Sequence, residues 1–237
     1  MKSPLQSGAI QEHVELASTQ THANDLVALG QSAGIGAVLA HQQTQGFGRF
    51  NRDWHSRQGE SLTLSLIFHD YADHPKPWLI GMAVGLAAAG ASHARISWPN
   101  DLVLSGKKVG GLITHVIKNP DGVLIPVVGL GLNLAVQEFP EALQHRAANI
   151  PGHKQPQEIL AALGQQLQLL PEPNNWSDLK TIWSMFDDTP GKKYQLPNGD
   201  LADAIGIGPD GELLCAVDGE TMSVLAADAW FGQSSSS

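Results

Sequence analysis

The 237-residue sequence has a single cysteine, Cys215, which excludes an internal disulfide and any cysteine metal cluster. Its apolar neighbours, Leu213, Leu214, Ala216 and Val217, mark it as a small hydrophobe packed in a strand. Basic residues are also scarce. Against 23 Asp and Glu there are 14 Lys and Arg, a formal net charge of −9. Such a chain lacks the positive excess that neutralises a nucleic-acid backbone, so DNA is not an expected partner and a local basic cluster must do any phosphate chemistry. No unbroken apolar run is long enough to span a membrane. Met1 to Gln11 carry neither the basic nor the apolar region of an export signal, so the expected location is cytoplasmic, with no membrane partner.

What is present is globular: 42% hydrophobic residues, 16% charged, with glycine and proline spread along the chain. The length allows two domains at most. After a polar leader, Ser18 or Thr19 caps a predicted helix that carries Leu26 and Leu29 on one face and ends at Gly30. A strand at 36–43 follows. The stretch from Thr44 to Gly59 is too polar and glycine-rich for a core element and reads as a flexible loop, followed by a strand at 61–68. Pro77 opens a helix that is apolar on nearly every side, as expected of one buried in the middle of a domain. Two strands turning at Ser105-Gly106 come next, then a turn at 119–122 and an apolar strand, in a mainly antiparallel meander. Helices are predicted near 157–170 and 177–186, the second with Trp183 and Phe186 on one face. Beyond Asp187-Asp188-Thr189-Pro190, short runs separated by Asp210-Gly211 and Asp218-Gly219 read as a small antiparallel barrel. The final serines, Ser234 to Ser237, read as a solvated tail. The fold class is α+β, a mixed, mainly antiparallel sheet with helices over 1–188, then a small all-β C-terminal domain over 189–237.

Three segments carry chemistry. In 43–54, Gly46 and Gly48 let backbone approach an anion while Arg49 and Arg52 supply fixed charge. No Gly-Lys-Ser/Thr follows and no helix begins there, which excludes a Walker loop and a dinucleotide fingerprint; an ordinary surface loop is the alternative. In 98–111, Asn100 and Asp101 are placed to position a ligand or metal. Lys107 and Lys108 follow a tight turn, and strand alternation points one into a cleft and the other to solvent, unless both are solvated hairpin lysines. In 127–134, Gly129 and Gly131 leave room in an apolar strand for a flat ligand, and Asn133 is either a binding group or a satisfied turn residue.

In this order and at these spacings the three segments resemble the catalytic domain of biotin protein ligases. The family pattern runs Gln-Thr, a Gly-Arg-rich loop ending in Trp, Trp-Pro-Asn-Asp, a catalytic lysine and Gly-(Ile/Leu)-Asn. The resemblance extends from about Glu15 through the C-terminal barrel. It implies the monofunctional class without an N-terminal winged helix, acting on biotin and ATP with Mg2+ and on a biotin carboxyl carrier protein or domain; a homodimer is left open. It implies biotin contacts from Ser18, Thr19, Gln43, Gly46 and Gly111, and a loop of Gly46, Arg49, Arg52 and Trp54 closing over biotin and adenylate phosphate. Lys108 matches the catalytic lysine, aided by Arg49, and Asn133 the nucleotide-side asparagine. Asn100 and Asp101 fall near the phosphates or Mg2+.

Three positions depart from the pattern: Phe47 stands where many members have an arginine, Ser97 replaces a basic residue, and Gln20 replaces an asparagine. Phe47 and Ser97 open the reading of a silent biotin- or nucleotide-binding homologue, against which Lys108, Arg49 and Arg52 are retained. The other alternative is a lipoate ligase-like acyl-transfer enzyme. Its octanoyl-transfer form uses a cysteine acyl intermediate, and Cys215 lies in the wrong domain for that.

Overall fold

The period of two in the strands decides which face of the sheet is core and which is site. In a computed structural model, described for residues 1–152, 155–196, 199–217 and 219–225, the chain opens with α1 (Pro4–Ser7) and β1 (Ala9–Leu16). Then come α2 (Thr19–Ala28), β2 (Ile35–Gln43), β3 (Ser61–Ile67) and α3 (Trp78–Ser92). The strands β4 (Arg95–Ser97), β5 (Asp101–Leu104), β6 (Lys107–Lys118) and β7 (Leu124–Asn133) complete a seven-stranded sheet in the order β1-β2-β3-β7-β6-β5-β4. Its one parallel pair is β1 with β2. The polar leader is thus an edge strand, whose exposed Glu12 and Val14 disguised it as loop.

Leu62, Leu64 and Leu66 of β3 and Val128, Leu130 and Leu132 of β7 join the main core beneath α3. Alternate residues face the other way, towards α2, and there the chain places Thr63, Ser65, Gly129 and Gly131. α3 is buried along most of its length between the sheet and the helices α4 (Pro156–Leu169) and α5 (Trp176–Phe186), which explains its nearly all-apolar sequence. On the opposite face α2 closes a smaller cluster with Ala23 and Val27 against Val38, Ile67 and Val127. Ser18 caps α2 by accepting from the Thr21 N–H at 3.3 Å, as its position predicts.

The C-terminal segment forms a four-stranded antiparallel sheet, in the order β11-β10-β9-β8, where the small barrel was expected. Its strands are β8 (Lys193–Gln195), β9 (Leu201–Ile207), β10 (Leu213–Val217) and β11 (Glu220–Val224). Cys215 is fully buried in β10, and burial raises its thiol pKa. Trp98 fastens the two sheets together: its indole N–H donates to Gly211 O at 3.0 Å, and its backbone N–H to Thr189 Oγ1 at 2.9 Å. The serine tail and Asp218 lie outside the described residues. No helix among the described residues is long and apolar enough to cross a membrane.

Candidate active site

A pocket opens on the α2 face of the large sheet, where small and polar residues leave space. Gly111, Gly129 and Gly131 form its floor, the start of α2 one wall, and the 44–59 loop its rim. Gln43 Oε1 accepts from both the Thr19 N–H, at 2.7 Å, and the Thr19 hydroxyl, at 3.1 Å. Ser65 Oγ lies 3.0 Å from Thr19 Oγ1 and from Gln20 Oε1, and Gln20 Nε2 donates to Val127 O at 3.2 Å. This network fixes the polar groups of a wall that is largely shut off from water, where a misplaced donor is costly.

Phe47 closes one side of the pocket by stacking on His115, with centroids 6.3 Å apart and planes at 26°. His115 is held from behind by Asn24, whose Nδ2 lies 2.8 Å from His115 Nδ1. Burial lowers the His115 pKa, which favours the neutral ring as acceptor for that amide.

Cations gather at the opposite end. Lys108 Nζ lies 2.6 Å from Asp101 Oδ1, and Arg49 Nη1 donates to Asn100 Oδ1 at 3.5 Å. Asn100 is itself anchored to β6, its Nδ2 donating to Leu112 O at 2.6 Å and its O accepting from the Leu112 N–H at 2.9 Å. Arg49 and Arg52 both approach the ring of Phe50, at 4.8 and 5.9 Å. Burial and the Arg52 charge depress the Arg49 pKa while Asp101 opposes them; a guanidinium stays charged through such shifts.

Ser18, Thr19, Gln43, Arg49, Arg52, Trp54, Asn100, Asp101, Lys108 and Gly111 therefore line one pocket. Two predicted residues do not. Gly46 lies outside the lining and shapes the loop: its carbonyl accepts from Trp54 N–H, and a Cβ there would stand 2.7 Å from Trp54 O. Asn133 lines a larger neighbouring cleft and donates to Ala148 O at 3.1 Å. Arg52, Trp54, Asp101 and Lys108 border both cavities. The room at Gly131 and Gly129 is also partly filled by the protein itself. A Cβ at Gly131 would lie 2.5 Å from the Trp54 ring, and one at Gly129 2.6 Å from Gln20 Oε1. Ser65, which is buried, and Asn24 and His115, which are half-buried, went unnoticed in the sequence because a polar residue there looks like an ordinary strand or helix surface position. Lys107 is exposed, away from the pocket.

The model of the biotin/lipoate A/B protein ligase family matches residues 14–133, which hold all of these pocket residues. The chain belongs to this family. Among relatives, the bifunctional ligase/repressor BirA of Bacillus spizizenii is 28% identical over 92% of this chain and 72% of its own length. The biotin--[acetyl-CoA-carboxylase] ligase of Paracoccus denitrificans is 34% identical over 44% of this chain and 46% of its own. The fold is that of the biotin protein ligase of Aquifex aeolicus, solved with biotin and ATP. The TM-score is 0.71 at 22% identity, over 93% of this chain and 97% of the other. Phe47 and Ser97 lie in different cavities: Phe47 lines the pocket and stacks on His115, whereas Ser97 lines the neighbouring cleft against Tyr194.

Proposed function

We propose that the protein is an ATP-dependent biotin protein ligase that forms biotinyl-5'-adenylate and transfers the biotinyl group to a lysine of a carboxyl carrier protein. The observation that carries this reading is a single pocket with a hydrogen-bonding wall at one end and Lys108, Arg49 and Arg52 at the other. A ureido ring and an aliphatic chain ending in a carboxylate fit that polarity. The names and bound ligands of the relatives point the same way: ligases of acetyl-CoA carboxylase, and a structure holding biotinyl-5-AMP. Residues 1–188 would form the catalytic unit and 189–237 the C-terminal one.

In the first step the biotin carboxylate attacks the α-phosphorus of MgATP and pyrophosphate leaves. In the second the acceptor amine attacks the mixed anhydride and AMP leaves. Neither step needs an enzyme nucleophile. Catalysis rests on alignment and on cations fixed where phosphate charge redistributes. Lys108 suits that task because its backbone is pinned on both sides: its N–H donates to Arg146 O at 2.8 Å, and its O accepts from Ala148 N–H at 2.9 Å. Arg49, steadied by Asn100, covers the adenylate phosphate, and Trp54, whose indole N–H is buried without a partner among the described residues, faces the nucleotide side. The loop that carries them keeps water from the anhydride.

A cysteine-based acyl transfer has no support, since the sole cysteine is buried in β10. Biotin-dependent exchange of labelled pyrophosphate into ATP tests the proposal. Exchange that requires biotin is expected; exchange driven by lipoate or octanoate and not by biotin would overturn it.

A further inference from the structure

Six of the chain's 14 lysines and arginines line the larger cleft: Arg52, Arg57, Lys108, Arg146, Lys192 and Lys193. The same lining carries five carboxylates, Asp53, Glu60, Asp101, Glu138 and Glu141, so the cleft is close to balanced in a chain of net charge −9, and what matters is where each cation is held. Lys193 has a counterion on the surface, Asp203, at 2.9 Å with both side chains well exposed. Lys192 turns inward instead. Its Nζ donates to Ser97 Oγ at 3.2 Å and to Asp188 Oδ2 at 2.5 Å.

Ser97 is the cross-strand partner of Asp101 in the β4–β5 pair, and Asp101 holds Lys108. Opposed residues of an antiparallel pair share a face of the sheet, with Cα atoms about 4.5 to 5.5 Å apart. Two ammonium groups therefore stand over neighbouring positions of one wall, Lys108 supplied by the large sheet and Lys192 by the segment leading into β8. Each rests against an aspartate. Asp188 has a second cation, Arg95 Nε at 3.5 Å, so it stays paired when Lys192 turns to a ligand. Tyr194 supports the arrangement from below, donating to Trp98 O at 2.9 Å next to Ser97.

We propose that Lys192 is a second phosphate-binding residue, which takes the β,γ-phosphate end of the nucleoside triphosphate while Lys108 faces the α-phosphate. This rests on the ligase reading. A triphosphate extends beyond the α-phosphate that Lys108, Arg49 and Arg52 meet, and Lys192 stands on Ser97, one cross-strand step from the Asp101 that holds Lys108. The C-terminal sheet thereby becomes part of the nucleotide site, and bound ATP adds to the Trp98 contacts that join the two sheets.

The experiment compares full-length wild type with Lys192→Ala, Lys192→Gln and Lys192→Arg. Biotin-dependent pyrophosphate exchange gives the KM for ATP and for biotin, and titration calorimetry gives biotin affinity alone. Loss of a charge-assisted contact should raise the ATP KM on the order of tenfold or more in the Ala and Gln variants. Biotin affinity should hold within about twofold, and Arg should keep most of the wild-type value. Gln retains the volume and a donor for Ser97, so it separates loss of charge from loss of folding. An unchanged ATP KM in Lys192→Gln, or equal losses for ATP and biotin, would overturn the assignment. A wild type that binds no biotin and exchanges no pyrophosphate instead overturns the ligase reading beneath it.

Discussion

Lys108 and Asp101, 2.6 Å apart, meet across a β5–β6 pair whose register is broken by one extra residue. Leu102 pairs with Gly110 but Val103 pairs with Lys108, so Val109 is a bulge. The bulge shifts the alternation by one. It brings Lys108 onto the face of Gly111, where its Nζ lies 3.3 Å from the position of a Gly111 Cβ. Without it Lys108 would share a face with Gly110, over the leucines of the core.

From this follows the first prediction. Lys108→Ala should slow adenylate formation by roughly a hundred- to a thousandfold, the usual cost of one preorganised charge donor, with no loss of fold. Lys107→Ala, on an exposed residue outside the pocket, should be nearly silent. Pyrophosphate release under single turnover, with circular dichroism as the folding control, separates the two; equal defects would remove Lys108 from the reaction.

Arg49 donates to Asn100 at 3.5 Å and lines the same pocket as Lys108, on the side proposed for phosphate. Arg49→Gly should release the adenylate faster while leaving biotin affinity within about threefold. The expected sign is biotin on lysines of a bystander protein. A variant that retains its adenylate and labels no bystander contradicts the assignment.

Neutral His115 supports Phe47 over the pocket, and burial holds its pKa below the ordinary histidine value, about 6.5. The unfolded chain therefore takes up this proton first as pH falls. The stability it confers is full above that value and lost as pH drops towards the lowered folded one. Protonation also turns Nδ1 into a donor facing the Asn24 amide. Both biotin affinity and thermal stability should decline below about pH 6.5, and His115→Gln should flatten the affinity profile. Parallel profiles in wild type and variant would exclude His115 as the cause.

Gly131 is where the Trp54 indole rests on β7. A methyl at 2.5 Å from the ring requires the indole to move, so Gly131→Ala should weaken ATP binding more than biotin binding. Titration of each ligand against the folded variant decides it. A loss confined to biotin would place Trp54 on the wrong side of the site.

The three chemical segments were legible in the sequence because glycine, arginine and the Asn100-Asp101 pair are types that a surface turn or core strand does not require together. The Leu-Ser/Thr alternation of β3 was legible for the same reason: period two separates core from site. Other features depend on contacts that spacing does not encode. The Val109 bulge changes which face Lys108 occupies without changing any residue. Ser65, Gln20 and His115 gain meaning only when α2 packs over the sheet. Lys192 meets Ser97 across 95 positions, and β1 was hidden by being an exposed edge.

The most direct test of the central claim is the intact mass of a biotin carboxyl carrier domain after incubation with the protein, biotin and MgATP. The account predicts a gain of one biotinyl group on the carrier's acceptor lysine, abolished by omitting ATP and strongly reduced by Lys108→Ala. A carrier of unchanged mass, with wild-type protein that is folded and binds biotin, would contradict it and leave a binding protein in place of a ligase.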